Sequence, residues 1–538
     1  MDPFNSVVSN EKFSKLTLNV INYPKSLEHW ENIINYLIDE VSPINKKLDK
    51  KLYKLIVTTY ESLLFNFPYL ENYYIDYGLF EYKLGNISNV HKIFKNGLKV
   101  FNQKSVLVWV SYLQLCNEIV TDDKALFKKY EKAEQYIGMH FYSGEFWELY
   151  LNLIKERSIS KIRYFSMLRK ILEYPIYSFS KFYAIWLKEI DNVRDLKQLS
   201  LFAPRDELKK KLKIDIKFKS RKGPYLFECK KKLKKITKEM YSVIQFQVLE
   251  IYSLFESNLS IQYYVSPDKL IPTSEIEKWE GYIDYSINTR NEQLIEINFQ
   301  RGLIITANYD AIWIKYSKWL ISSQKDLVSA KNILIDGLSM SLKKSKIIKM
   351  LFDVLVGLND YDSLEYILSQ MEKFSINIVD IDDFEIFWDF IQFKMFLANN
   401  SLKSRYSESQ KNSFLPENIF TLILNRLKYE GSKEGQLLLL HYLVQLQDKD
   451  NTKIIENKVF KQIIKDNLEY YINDGTFWTL YSQLIYFDPS SSYLEKRRSI
   501  LNLWKTGVPH TDSVKELLSE FCFKYLPDDI DNLDDLFA

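Results

Sequence analysis

The side chains most able to do chemistry in this chain are lysines and arginines crowded into one stretch. Between Arg205 and Lys238 stand 15 Lys/Arg against 4 Asp/Glu, an excess of +11 in a chain whose formal net charge is +3, so the remainder carries −8. Lys209, Lys210, Lys211, Arg221, Lys222, Lys230, Lys231, Lys232, Lys234 and Lys235 make up most of the block. Cations at this density can neutralise RNA phosphate or dock an acidic protein face; they can equally be the solvated surface of a long helix that links two halves. Other reactive side chains are dispersed. His29, His91, His140, His441 and His510 lack metal-ligand spacing, and Cys116, Cys229 and Cys522 lack the paired spacing of a zinc knuckle or disulfide framework. Only 14 glycines occur in 538 residues, and no phosphate loop, dinucleotide fingerprint or nucleophile elbow is found. The expectation is a protein that is not an enzyme, with no cofactor, metal or small-molecule substrate.

The aromatics are the second candidate for chemistry, since tryptophan and tyrosine can stack on bases. Their spacing argues for a structural role instead. Trp109/Tyr112, Trp147/Tyr150, Trp279/Tyr282, Trp313/Tyr316 and Trp478/Tyr481 are each three residues apart, with Tyr74/Tyr77 as a stand-in. Residues i and i+3 share a helix face, so each pair is a ridge that a neighbouring helix must cover. About 23 residues after the first aromatic, a small residue follows a large apolar one by three positions: Phe94/Gly97, Tyr130/Ala133, Phe299/Gly302 and Leu334/Gly337. A mid-helix glycine costs about 1 kcal/mol relative to alanine. Its recurrence at one offset therefore requires a packing reason, which is close approach of the second helix to the aromatic face of the first. The period of about 35 residues is that of a helix-turn-helix solenoid. The Trp147 unit departs from the pattern, with Ile171 in the small-residue position.

The fold expected is all-α, an α-solenoid of such repeats in two arrays: residues 1–190, a basic helical linker over 191–265, and residues 266–538. Gly223 and Pro224 read as a turn between two lysine-rich helices. Ser26 reads as a helix cap, and Ser274/Glu277 and Asp382/Glu385 have capping-box spacing ahead of Trp279 and Trp388. The stretch from about 399 to 416 reads as a loop. At the end, Asp528, Asp529, Asp531, Asp534 and Asp535 form an acidic tail, either solvated or a docking peptide. A terminal repeat lacks a neighbour on one side, so the apolar residues there, Trp478, Tyr481, Trp504, Leu517, Leu518, Phe521 and Tyr525, are expected to form a dimer interface. No apolar run near 18 residues indicates a membrane span, the start has no secretory signal, and the cysteine usage fits a reducing compartment.

The aromatic W-x-x-Y and the F-x-x-G-L pattern resemble the half-a-TPR (HAT) repeat, found almost wholly in RNA-processing assemblies. Longer strings narrow the resemblance: NFPYLENYYIDYGLFEYKLGN (66–86), SGEFWELYL (143–151), SFSKFYAIWL (178–187), RKGPYL (221–226), LKKITKEMY (233–241), YDAIWIKYSKWLI (309–321) and DDFEIFWDF (382–390). These are similar to the family of HAT-repeat U1 small nuclear ribonucleoprotein subunits that comprises the pre-mRNA-processing proteins thirty-nine and forty-two. The resemblance runs over essentially the whole chain, and RKGPYL with LKKITKEMY lies outside any repeat consensus. It implies two HAT halves, a dimer made through the C-terminal half, and a nuclear scaffold role in 5′ splice-site recognition that bridges core and auxiliary U1 proteins. The partners implied are a paralogous HAT protein as heterodimer or a second copy as homodimer, the U1 C-type zinc-finger protein and other U1 proteins, with U1 snRNA contacted indirectly or weakly. Two other classes stay open at this stage: a direct RNA binder using the basic block, and a HAT assembly factor of ribosomal RNA processing or 3′-end cleavage.

Overall fold

Every regular element among the described residues is helical, as the aromatic ridges require. The computed structural model describes residues 3–158, 160–202, 222–374, 384–399, 416–450, 453–509 and 511–537. By contact the chain divides into two units, one of residues 1–319 with 336–343, the other of 320–335 with 344–538. This division follows compactness, whereas the expected domains follow the repeat, and the two cut the chain at different places.

In the first unit, antiparallel helices pair in succession: Glu71–Leu84 with Ile87–Val100, Val106–Ile119 with Asp123–Ile137, and Gly144–Arg157 with Lys161–Ile171. Phe179–Asp191 packs on the 33-residue helix Lys222–Leu254, and Thr273–Asn288 pairs with Glu292–Thr306 before Asp310–Trp319. The opening repeats of the second expected array pack against the first array within this unit. Tyr69 stacks near Trp313 with ring centroids 6.2 Å apart, Asn102 Nδ2 donates to Gln300 Oε1 at 3.1 Å, and Lys104 pairs with Glu296. The second unit has the pairs Ser345–Gly357 with Tyr361–Phe374, Pro416–Tyr429 with Lys433–Asp450, Gly475–Tyr486 with Tyr493–Thr506, and Asp512–Tyr525 with Ile530–Phe537.

Several local expectations are corrected. Gly223 and Pro224 do not form a turn between helices within the described residues; they stand in the first turn of Lys222–Leu254, where proline's missing N–H would have had no intrahelical acceptor anyway. The helix before Trp279 begins at Thr273, with Pro272 in the cap position and no side-chain cap. Ser274 therefore caps nothing. Glu275 does the local work: its carboxylate accepts from Ser260 N at 2.8 Å, Ile261 N at 3.2 Å and Lys278 Nζ at 2.9 Å. Burial would raise its pKa, but those donors together hold it below the usual glutamate value. Ser26 does occupy the cap position before Leu27–Glu40, without a side-chain cap bond. The Asp382/Glu385 box and the loop at 400–415 lie outside the described residues.

The acidic end is a packed element, neither a solvated tail nor a free peptide. A 3-10 turn at Pro527–Asp529 leads into Ile530–Phe537. Asp529 is fully buried and takes both ends of the Arg497 guanidinium, at 2.6 and 2.7 Å, while Leu533 is buried and Lys515 reaches Asp534 at 2.9 Å. A carboxylate next to an arginine and an apolar stripe together explain why so acidic a sequence folds back.

Candidate functional site

The repeat core explains why the aromatic spacing generates stacked helices. In Leu27–Glu40, Val106–Ile119, Gly144–Arg157, Asp310–Trp319 and Gly475–Tyr486 the tryptophan is the fourth helical residue. Its indole N–H reaches back to a carbonyl of the preceding connection: Trp30 to Pro24, Trp109 to Gln103, Trp147 to Gly138, Trp313 to Ala307 and Trp478 to Ile472, at 2.7 to 3.0 Å. Each bond satisfies a buried donor and fixes how the chain enters the helix. In three repeats the large residue of the second helix then meets the tyrosine of the next repeat. Phe94 stacks on Tyr112 at 5.2 Å, Tyr130 lies against Tyr150 at 5.1 Å, and Phe299 stacks on Tyr316 at 4.4 Å. The glycines sit where helices cross. A Cβ on Gly97 would lie 2.9 Å from the Tyr74 ring and one on Gly337 2.9 Å from Trp313, whereas one on Gly302 would meet Ile283 Cδ1 at 3.2 Å with Trp279 beyond. Ile171 is the last residue of its helix and fully buried. Tyr282 shows what else this ridge holds. Its hydroxyl donates to Glu256 at 2.8 Å, and Glu256 also takes Arg301 in two bonds of 2.6 and 2.9 Å. Both charges are buried, and Arg301 lies 5.3 Å from the Trp279 ring. Burial alone would lower the Arg301 pKa, yet the Glu256 carboxylate raises it above the usual value.

The basic block is only partly displayed. Lys209, Lys210, Lys211 and Arg221, with the side chain of Lys222, fall outside the described residues. On the helix that follows, Lys230 donates to the Asp191 carbonyl at 2.7 Å, Lys234 pairs with the Asp191 carboxylate at 2.6 Å, Lys232 pairs with Glu228 at 2.7 Å and Lys235 reaches Glu239 at 4.0 Å. Lys231 is exposed. The buried face of this helix carries Cys229, Leu233, Thr237 and Tyr241, so its lysines lie beside a packed stripe.

At the C-terminal end, Trp478, Trp504, Leu518 and Phe521 are buried by the chain itself; Tyr481, Leu517 and Tyr525 are half-buried. Trp504 Nε1 donates to Ser482 at 3.0 Å, and Phe521 and Tyr525 close on Tyr486. Trp478, Trp504, Leu518 and Phe521 thus find cover within the chain, where the helix Asp512–Tyr525 packs on Gly475–Tyr486, while Tyr481, Leu517 and Tyr525 keep part of their surface open. Exposed at this end are Phe523, at 77%, and, on the helix Tyr493–Thr506, Leu494 at 61% with Tyr493 beside it. Among the described residues no cluster of His, Cys, Asp or Glu could hold a metal ion, and no helix is long and apolar enough to cross a membrane. His510 lies outside the described residues; the three cysteines are buried free thiols.

Comparison with known proteins places this architecture. Residues 14–188 match the PRP39 N-terminal HAT repeat and residues 252–381 the PRP39 C-terminal HAT repeat. The chain is also 52% identical over 541 residues to the U1 small nuclear ribonucleoprotein component PRP42 of Saccharomyces cerevisiae, a match covering 100% of this chain and 99% of that protein. This chain belongs to the PRP39/PRP42 family of HAT-repeat proteins. More distant relatives are pre-mRNA-processing factor 39 of Schizosaccharomyces pombe, 20% identical over 61% of this chain and 55% of that protein, and of Homo sapiens, 19% identical over 63% and 52%. Within the HAT architecture, the Arg301–Glu256 pair went unread in the sequence. Its one signal is an arginine directly before the crossing Gly302, in a helix that goes on as Leu303, Ile304 and Ile305.

Proposed function

We propose that this chain is a non-catalytic scaffold subunit of the U1 small nuclear ribonucleoprotein, acting in the nucleus to bridge core and auxiliary U1 proteins in 5′ splice-site recognition. The observation that carries this reading is the match to the yeast U1 component PRP42 from end to end, through both HAT regions and the segment between them. A relative that shares only the repeat would align only over the repeats. The partner proposed is a PRP39-type paralogous chain or, where a single paralogue exists, a second copy, joined through the C-terminal half. With Trp504 and Phe521 buried in the chain's own core, the exposed surface around Phe523 is the better candidate for that contact. The U1 C-type zinc-finger protein and other U1 proteins would dock on further surfaces. Contact with U1 snRNA is proposed to be indirect or weak, since Lys230, Lys232 and Lys234 already have carbonyl or carboxylate partners within the chain.

Affinity purification of the tagged chain from nuclear extract tests this reading. U1 snRNA and one stoichiometric HAT-repeat partner, or a second copy of the chain, are expected in the eluate, and Phe523→Asp should lose the HAT partner. Recovery of ribosomal RNA precursors or 3′-end cleavage factors in place of U1 would assign the chain to another HAT assembly. Tight, steeply salt-dependent binding of the isolated chain to naked U1 snRNA would make it a direct RNA binder instead.

A further inference from the structure

The long helix Lys222–Leu254 is packed along one side, where Phe179–Asp191 lies against it and Cys229, Leu233, Thr237, Tyr241, Val248 and Ile251 are buried. On the opposite side three large apolar residues stand open. Val243 is 68%, Phe246 71% and Leu249 56% exposed. Spaced three apart, they form one continuous strip along the helix. Singly exposed apolar residues are ordinary on a protein surface, whereas a contiguous strip of them marks a contact.

Lysines lead into the strip. Lys231, Lys235 and Lys238 follow one another at steps of four and three residues, and all are exposed on the side that carries Val243, Phe246 and Leu249. Lys232 pairs with Glu228 and Lys235 reaches Glu239, but among the described residues no carboxylate pairs with Lys231 or Lys238. From Lys231 to Leu249 this side runs about 27 Å at the helical rise. Its first half is cationic and its second half apolar.

Charge decides among the occupants. Residues 203–221 of the chain carry eight Lys/Arg against three Asp/Glu, so they repel these lysines. The acidic end of the chain is already engaged, with Asp529 on Arg497 and Leu533 buried. RNA would answer the lysines, but a base stacks on an aromatic face, and two of the three strip residues are aliphatic. An amphipathic helix of another protein answers both halves. Its carboxylates meet Lys231 and Lys238, and an apolar stripe at i, i+3 and i+7 covers Val243 and Phe246.

We propose that the solvent side of this helix docks an acidic amphipathic helix of a partner protein, its carboxylates on Lys231, Lys235 and Lys238 and its apolar stripe on Val243, Phe246 and Leu249. The test uses the full chain and fluorescence anisotropy with three labelled, end-blocked helical peptides of about 20 residues, long enough to span this side. The first carries leucines at i, i+3 and i+7 in one half and glutamates on the same face in the other. The second has lysines in place of the glutamates, and the third has the composition of the first with its leucines scattered around the helix. The first should bind at least about tenfold more tightly than either of the others. Val243→Ser/Phe246→Ser, and separately Lys231→Gln/Lys238→Gln, should each weaken it about tenfold, the scale of lost apolar burial or of a lost charge-assisted contact. Leu18→Ser/Phe65→Ser, which removes exposed apolar residues elsewhere in the first unit, should leave binding unchanged. Circular dichroism should be the same for all, since every substituted side chain is exposed. Equal binding of the three peptides, no binding of the first, or wild-type affinity in either helix variant would overturn the proposal. So would equal weakening by the control, displacement of the first peptide by a single-stranded RNA, or dissociation of a dimer of the chain by Val243→Ser/Phe246→Ser. No U1 component enters the test, so its failure would leave the U1 reading standing.

Discussion

Gly337 and Gly302 hold the same place in the repeat signature, but their surroundings set opposite outcomes for one added methyl. At Gly337 the new Cβ would lie 2.9 Å from a Trp313 ring locked by its own hydrogen bond, so the ring or the helix must move. At Gly302 the nearest atom is the end of the flexible Ile283 side chain at 3.2 Å. Alanine gains about 1 kcal/mol of helix propensity at either site, whereas overpacking costs about 1 to 3 kcal/mol. Gly337→Ala should therefore lower the denaturation midpoint and Gly302→Ala should leave it unchanged or raise it; equal losses would show that both crossings are equally tight. His140 gives a second prediction at this scale. Burial, with Arg301 nearby, holds its pKa well below the ordinary imidazole value of about 6.5, so the folded ring stays neutral while the unfolded ring gains a proton. The unfolded state binds more protons below that value, and stability must fall as pH falls through it, by about 1 kcal/mol between pH 7 and 5.5 from this group. The difference between wild type and His140→Gln in urea titrations across that range should show this slope. Identical pH profiles would mean that His140 is accessible to protons in the fold. Residues such as Trp109, Tyr112 and Gly97 were legible because helical spacing announces them. Arg301 and Glu256 were not, since partners 45 positions apart leave no local pattern.

At the scale of elements, the sequence marked helices well and their ends poorly. The helix carrying Trp279 starts earlier than the Ser274/Glu277 spacing indicated, because Glu275 is drawn to Ser260 and Ile261, a contact no cap rule anticipates. The last helix was hidden by its own charge. Five aspartates in a short stretch read as solvated, and only the fold shows that Arg497 meets Asp529 while Leu533 faces inward. Asp529 is held below the usual aspartate pKa chiefly by that arginine. Arg497→Met should leave a buried carboxylate without its cation and release Ile530–Phe537. Hydrogen exchange at the amides around Leu533 should then rise to the rate of an unstructured chain while Gly475–Tyr486 stays protected. Unchanged protection around Leu533 would show that the apolar contacts alone hold the helix. The same packing changes how the C-terminal end must be probed, because removing residues 490–538 would expose Trp478 and Ser482 along with any interface. Single substitutions at exposed Phe523 separate the two effects.

At the scale of the molecule, fold class and family were both readable from the chain, the first from the repeat and the second from strings outside it such as RKGPYL. How the repeats group was not readable. Tyr69 against Trp313 and Asn102 against Gln300 tie the first repeats of the second array into the N-terminal unit, and the repeat period is silent on such long-range pairing. The functional account rests on the chain being equivalent along its whole length to a U1 component, and a direct exchange tests that. In Saccharomyces cerevisiae cells whose own PRP42 is switched off, this chain would be supplied as the replacement, and its sedimentation with U1 snRNA measured on gradients. The account predicts that the chain migrates with U1 snRNA in a particle of normal size, together with a HAT-repeat partner. A chain that is expressed and folded yet sediments apart from U1 snRNA would contradict it.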